Sequence, residues 1–261
     1  MLASRQRFAE DYLRIRRAEG RGSDDPEYYF ALPFRDLSGA LKEQWAMRGR
    51  TYRYFERKIL PRMERGSSLD ILDLGAGCGW MSYRLALRGH RAVAVDLLAD
   101  GRDGLGAARH YLTRARFARF NADFDQLPFA DAQFDAVIFN ASVHYSADYR
   151  KTLGEVVRCL RPGGRVVILD SPVYKSREHG ETMRRERRRD FLAKYGTESD
   201  HIGSIEYLDQ ATLDRLSREV GIQWRIHKPW YGFAWHSRPV KAWLKSARPP
   251  SRFWILEGVI Q

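Results

Sequence analysis

Residues 71–79 read Ile71-Leu72-Asp73-Leu74-Gly75-Ala76-Gly77-Cys78-Gly79, an apolar strand running into a glycine-rich turn, with a helix predicted after it. Glycine lets the backbone adopt positive φ and approach a ligand closely, and the first turn of the next helix offers N–H groups to a carboxylate or phosphate. The spacing narrows the choice of ligand. A dinucleotide fingerprint, Gly-x-Gly-x-x-Gly, needs a third glycine where this chain has Trp80, three residues after Gly77. A nicotinamide cofactor is therefore disfavoured.

Outward from this turn, short apolar runs alternate with helical periods: LDILDL, MSYRLALRG, RAVAVD, then FDAVIFN, KTLGEVVRCL and GRVVILD. Strands alternating with helices predict an α/β fold with a mostly parallel sheet and helices on both faces. Upstream, residues 3–19 and about 38–64 carry helical periods, with Leu41, Gln44, Trp45, Arg48 and Tyr52 on neighbouring faces. The turn-rich stretch GRGSDDP at 20–26 separates them. Residues 1–65 are thus expected to form a helical prelude that caps the domain at 66–261. The polar segment at about 172–209 interrupts the alternation and is expected to be a lid-like insertion. Beyond it come a helix at about 209–220 and strands at about 222–229 and 252–259.

The chain has 261 residues, 44% of them apolar, enough for a sizeable core. No run approaches the roughly 18 consecutive apolar residues of a membrane span, and MLASRQRFAEDYLRIRR is charged where a signal peptide would be apolar, so a cytoplasmic location is expected. Cys78 and Cys159 supply neither a disulfide framework nor a zinc ligand set, and no metal is expected. The net charge of +12 favours acidic partners in general. Its densest run, Arg184-Arg185-Glu186-Arg187-Arg188-Arg189, reads as a solvated helix face rather than an anion site.

Asp-x-Gly-x-Gly-x-Gly at 73–79 resembles motif I of class I S-adenosylmethionine (SAM)-dependent methyltransferases, and the resemblance extends over roughly residues 69–171. The likeness implies a Rossmann-like seven-stranded sheet and SAM as cofactor, with S-adenosylhomocysteine as product. It would set Asp73, Gly75, Ala76 and Gly77 against the cofactor's methionine and ribose portions. Asp96 ends the predicted second strand, 21 residues beyond Gly75, where an acid can accept both ribose hydroxyls; Leu97 then takes the place of an apolar contact to adenine. Asn121-Ala122-Asp123-Phe124-Asp125-Gln126-Leu127-Pro128-Phe129 resembles the Asp-x-x-x-Leu-Pro-Phe signature of the UbiE-like branch. This implies that Asp123 accepts from the adenine amino group and that Phe124 lies beside it. Asp125 is expected to be a solvated loop residue. Asn140, at the end of the predicted fourth strand, would meet the methionine moiety. Leu160-Arg161-Pro162-Gly163-Gly164 matches the turn before strand five, where proline and glycine fix a reversal. In an open parallel sheet ligands bind beyond the carboxyl ends of the strands. Asp73, Asp96, Asp123 and Asn140 all fall at such ends.

Methyl transfer from a sulfonium needs no protonation of the leaving group, so positioning is the protein's main task. The catalytic candidates are His144, as a base for a protonated acceptor, and its neighbour Tyr145, both just after strand four. Arg48 is a candidate partner for the cofactor's carboxylate, with Tyr52 closing beside it. Trp230, Tyr231, Phe233, Trp235, Trp243 and Trp254 are expected to line an acceptor pocket or pack in the core, with Tyr174 and His236 as further acceptor-side possibilities. The resemblance implies a small organic acceptor, a secondary metabolite, quinone or lipid-like molecule, expected to be anionic or aromatic. A nucleic-acid substrate is disfavoured, because Asn140-Ala141-Ser142-Val143 lacks the Pro-Pro-aromatic motif of adenine-amino enzymes and Cys159 lies too far along for a cytosine-type nucleophile. A SAM-binding protein that transfers no methyl group is the other reading left open.

Overall fold

The computed structural model describes residues 2–64 and 66–260; Met1, Arg65 and Gln261, at the edges of the expected prelude and domain, lie outside them. The prelude comprises α1 (Leu2–Ala18), α2 (Pro26–Ala31) and α3 (Lys42–Tyr54), the last continuing through a π-helical turn at Phe55–Ile59 into α4 (Leu60–Glu64). Then follow β1 (Asp70–Leu74), α5 (Trp80–Leu87), β2 (Arg91–Asp96), a 3-10 segment at Leu105–Thr113, β3 (Ala118–Asn121) and β4 (Phe134–Asn140). The second half holds α6 (Tyr149–Cys159), β5 (Leu160–Leu169), β6 (Val173–Tyr174), α7 (Arg177–Tyr195), β7 (Leu208–Asp209), α8 (Gln210–Val220), β8 (Ile222–His227), α9 (Phe233–His236), α10 (Arg238–Leu244) and β9 (Ile255–Ile260).

Seven strands form one sheet in the order β3-β2-β1-β4-β5-β9-β8. The first five are parallel, and β9 runs antiparallel to both β5 and β8. Strand order reverses between β1 and β4, the position where an open sheet leaves a crevice at its carboxyl ends.

Alternation along the strands sorts side chains to two apolar layers. Ile71, Ala136 and Ile138 face the prelude, where Trp45, Tyr52 and Phe55 pack with Trp80. Leu72, Leu74, Val137 and Phe139 face α6 and α8, through Leu153, Val156, Leu213 and Leu216. Asp148 caps α6 by accepting from the N–H groups of Arg150 and Lys151, and Asp209 caps α8 by accepting from that of Thr212.

Three features differ from the sequence-based expectation. Strand β3 has every residue exposed and so offers no apolar run to read. Leu160–Gly164 is the start of β5 itself, with an irregular register against β4, rather than a separate turn. The insertion is an ordered cover: β6 pairs with β7, and the 19-residue α7 crosses between them. Its basic run is not a uniformly solvated face, since Arg184, Arg187 and Arg188 turn to Glu181, Glu206 and Asp200.

Candidate functional site

The glycine turn is tied to the end of β2. The N–H groups of Gly75 and Ala76 donate to the Val95 carbonyl at 2.8 and 3.0 Å. Asp96 accepts from the Gly77 N–H at 2.7 Å through one carboxylate oxygen and from the Leu98 N–H at 2.8 Å through the other. Burial nonetheless pushes its pKa up to about 6. Gly75 sits at φ +70°, and a Cβ there would lie 2.3 Å from that of Ser142, whose hydroxyl donates to the Leu74 carbonyl at 2.5 Å. The absent side chain is what lets the loops after β1 and β4 touch.

Above these loops lies a cleft of about 340 Å³, whose walls include Gly75, Gly77, Asp96, Leu97, Asp123 and Phe124. Its roof is α1, through Arg5, Phe8 and Tyr12. Arg5 pairs with Asp123 at 2.5 Å, and Phe8 and Tyr12 meet the Tyr145 ring edge-on at 6.0 and 5.8 Å. Asp125 also lines the cleft, contrary to its expected place in a solvated loop: it accepts from the Thr152 hydroxyl, and burial raises its pKa.

Other residues singled out in the sequence stand back from the cleft. Asp73 is fully buried on the prelude side of β1, where one oxygen accepts from the Ser82 hydroxyl (2.7 Å) and N–H (3.2 Å), fastening α5. Burial pushes its pKa up to about 7, and its second oxygen has no partner among the described residues. Ala76 packs with Ala94 and Leu105 behind the loop. Asn140 is 9% exposed, and its buried Oδ1 likewise lacks a partner among the described residues.

Two further cavities adjoin the cleft. One, of about 550 Å³, meets it at Ala141 and is walled by Leu41, Met47, Arg48, Asp170 and Phe253. The Arg48 guanidinium lies 4.9 Å from the centre of the Trp45 ring, and burial, then the charge of Arg21, lowers its pKa, opposed by Asp170. Tyr52 is a core residue packed on Trp80 at 5.6 Å and does not reach either cavity.

The other cavity, of about 160 Å³, shares Tyr12 and Tyr145 with the cleft and lies between α1 and α7. Its walls combine apolar Ile15, Met183 and Phe191 with Arg16, Arg187, Glu19 and Glu206. The charges are matched: Arg16 bonds Glu19 at 3.0 Å, and Arg187 makes two bonds to Glu206. His144 is in this chamber, not in the cleft, with Nδ1 3.3 Å from the Ser171 hydroxyl. Burial, followed by the charges of Arg16, Arg48 and Arg187, drives its pKa down to about 3. The imidazole is therefore neutral, and it is a far weaker base than its ordinary pKa suggests.

None of the aromatic residues expected from the C-terminal part walls this chamber. Trp230, Phe233 and Trp243 face outward, Tyr231 is buried with its hydroxyl donating to the Phe253 carbonyl, and Trp254 packs against the α6–α8 layer. Tyr174 is buried beside Arg248, and His236 stacks on Trp230. Sequence reasoning missed Arg5, Phe8, Tyr12 and Arg16 on α1 and Ser142 and Asp170 at the strand ends. Nothing in a charged amphipathic helix marks which residues roof a distant cleft.

Residues 72–168, which hold the glycine turn, Asp96, Asp123 and the end of β4, match the family model described as a methyltransferase domain. This segment is similar to methyltransferase domains over the stretch that carries the glycine turn, the acid ending β2 and the end of β4. Over 100 residues the chain is 40% identical to a demethylmenaquinone methyltransferase of Clavibacter sepedonicus, covering 38% of this chain and 40% of that one. A demethylmenaquinone methyltransferase of Thermus thermophilus is 35% identical over 144 residues, 54% of this chain and 64% of the relative. A malonyl-acyl-carrier protein O-methyltransferase of Erwinia pyrifoliae is 35% identical over 115 residues, 42% and 40% of the two chains. The chain thus spans between 40% and 64% of the length of these relatives. The fold matches a SAM-dependent methyltransferase of Mesorhizobium loti, with a TM-score of 0.52, 17% identity and coverage of 76% of this chain and 96% of that one. It also matches the 1,6-didemethyltoxoflavin N1-methyltransferase of Burkholderia thailandensis, with a TM-score of 0.50, 17% identity and coverage of 83% and 78%.

Proposed function

We propose that the protein is a SAM-dependent methyltransferase acting on a small organic acceptor. The observation that carries this reading is the joining of two unlike spaces at Tyr12 and Tyr145: a cleft floored by the glycine loop with a carboxylate at its edge, and a smaller chamber lined by side chains of α1 and α7. The residues present suit the cofactor. Asp96 retains lone pairs, after serving Gly77 and Leu98, for the two ribose hydroxyls. Asp123 would accept from the adenine amino group, sharing its charge with Arg5, while Leu97 and Phe124 flank the base. Arg48, across Ala141, would meet the carboxylate.

The cofactor supplies an electrophilic methyl group on a sulfonium that leaves as a neutral thioether. The protein's own part is to aim the acceptor and exclude water. Tyr12 and Tyr145 stand where the two spaces meet, and neutral His144 would accept a hydrogen bond that orients the acceptor, whose proton passes on to solvent as the methyl group is transferred. The chamber's 160 Å³ is close to the roughly 150 Å³ of an apolar cavity known to take up benzene, so a single ring fits. Because its two arginines are already matched by Glu19 and Glu206, an uncharged aromatic acceptor suits it better than an anionic one. Among the described residues no helix is long and apolar enough to cross a membrane, and a cytoplasmic setting is part of this reading.

The reading is tested by incubating the chain with SAM and panels of single-ring phenols, ring amines and bicyclic quinols, following S-adenosylhomocysteine formation. Turnover that favours single-ring acceptors and is lost with a bulky Met183→Trp in the chamber wall is the expected result. Cofactor binding with no turnover across the panel, or turnover indifferent to chamber volume, would contradict it.

A further inference from the structure

Between Val220 and Leu256 the chain holds seven Lys or Arg residues, no Asp or Glu, and five of its seven Trp residues. A core segment so rich in aromatics would turn them all inward; this one packs Trp224, Tyr231 and Trp254 but turns Trp230, Phe233 and Trp243 outward. Trp230 is 58% exposed, Phe233 84%, Val240 58%, Trp243 76% and Leu244 70%. Val240, Trp243 and Leu244 follow i, i+3, i+4 spacing and so share one face of α10, while Trp230 packs edge-to-face at 5.2 Å on Phe233, the first residue of α9. Lys228, Lys241 and Lys245 are exposed on the same segment.

The display is anchored and is not a loose tail. Tyr231 is buried and its hydroxyl reaches Thr51 and the Phe253 carbonyl, while Arg238 lies over the Trp235 ring and donates to the Ser251 carbonyl. Because β9 runs antiparallel to β5, with Ile168 opposite Leu256, the segment emerges at the carboxyl-end rim of the sheet, where the cavities open; Phe253 itself walls the cavity of Arg48.

Scattered exposed apolar side chains are ordinary, but five large ones on and just before two successive short helices, flanked by lysines and no acid, mark a surface of contact. Two features select the contact. Trp and Phe with flanking Lys suit the boundary between lipid headgroups and acyl chains, and a rim of one sign of charge suits an anionic surface. We propose that α9–α10 and the preceding Trp230 dock the protein on an anionic lipid surface, lying in the interface with the cavity-bearing rim turned toward it. This placement stands on the C-terminal segment alone and does not depend on which acceptor the chamber takes.

The test is flotation of the full chain with phosphatidylcholine vesicles prepared with and without phosphatidylglycerol. Binding to the phosphatidylglycerol vesicles that weakens with salt is expected. A Phe233→Ser, Trp243→Ser, Leu244→Ser variant should lose about tenfold or more of that affinity, in line with the loss of buried apolar area. A Lys241→Glu, Lys245→Glu variant, which touches only exposed side chains, should lose binding to the anionic vesicles in the same direction. Calorimetric binding of S-adenosylhomocysteine, unchanged in each variant, separates lost docking from lost folding and from failure of the methyltransferase reading. No flotation with anionic vesicles overturns the proposal. So does equal flotation by the triple-serine variant, or self-association of the chain that the triple-serine changes abolish while lipid binding stays undetectable.

Discussion

The cleft over the glycine loop and the chamber beside it meet at Tyr12 and Tyr145 yet are held by different means. The cleft is made largely by backbone: N–H groups of the glycine loop reach Val95 and Asp96, and Ser142 closes on Gly75 where a side chain would intrude. The chamber is made by long side chains from segments far apart in sequence. Arg16 lies 129 positions from Tyr145, the residue it bonds at 3.2 Å, and Arg187 is fixed by Glu206 across the insertion. A backbone-built site tolerates little change in its loop and much around it. A side-chain-built site can be re-lined without disturbing the sheet, which suits a fold that keeps one cofactor and changes acceptors.

If this contrast holds, damage to the two regions should separate, and the largest effect should come from the loop. Gly75→Ala imposes both the positive φ and the contact with Ser142, and strain of about 1–3 kcal/mol should weaken S-adenosylhomocysteine binding by up to about 100-fold. Adding Ser142→Gly should restore part of that affinity by removing the Cβ; calorimetry on the single and double variants would show whether the two residues are coupled.

Asp96→Asn comes next. Losing a charge-assisted acceptor worth about 1.5–3 kcal/mol should cost roughly 10- to 100-fold in affinity. The pH dependence sharpens this. Because burial holds Asp96 up at about 6 and hydroxyl donors favour its ionised form, affinity should fall as pH drops through 6 and level off above about 7. The raised pKa values of Asp96 and Asp73 act oppositely on the unliganded fold: their contribution is present below the ordinary 3.8 and is lost as pH rises through about 6 and about 7. The gain in Tm on adding S-adenosylhomocysteine should therefore grow with pH across that window, and much less so in Asp96→Asn.

On the chamber side, Arg187→Met leaves Glu206, whose side chain is 7% exposed, without its partner. Acceptor kcat/KM should fall about tenfold or more, as expected for an orphaned charge, while cofactor affinity stays within about twofold. His144→Gln should cost less than about tenfold in kcat, since an imidazole with a pKa near 3 contributes little as a base. The pH profile of the unaltered protein should show no imidazole limb near neutrality; a limb near 6.5 that the substitution removes would restore His144 as the base. The smallest effect belongs to Arg5→Ala. Its pair with Asp123 is partly exposed, and about twofold in cofactor affinity is expected, a change comparable to those of other surface ion pairs.

How far the sequence could be read follows the same divide. Alternation and turn chemistry announced β1, β2, β4 and β5, because buried parallel strands are apolar runs whatever surrounds them. Asp96 and Asp123 were legible as cleft residues because strand ends map directly onto the rim. Asp73 was legible as a special residue but not in its place: only the parity of β1 sends it to the prelude side to hold Ser82. His144 could be located after strand four, yet its protonation depends on its burial and then on the charges of Arg16, Arg48 and Arg187, which no local pattern brings near. The C-terminal aromatics show the limit most plainly, because composition alone cannot distinguish a Trp in a core from a Trp at the surface, and Trp243 is at the surface.

The most direct measurement is calorimetric titration of the folded chain with S-adenosylhomocysteine. One-to-one binding that weakens below pH about 6 and is largely abolished by Gly75→Ala is the outcome the cleft geometry requires. A well-folded chain that gives no heat with this compound or with SAM at any pH would contradict the assignment of the glycine loop and Asp96 to the cofactor.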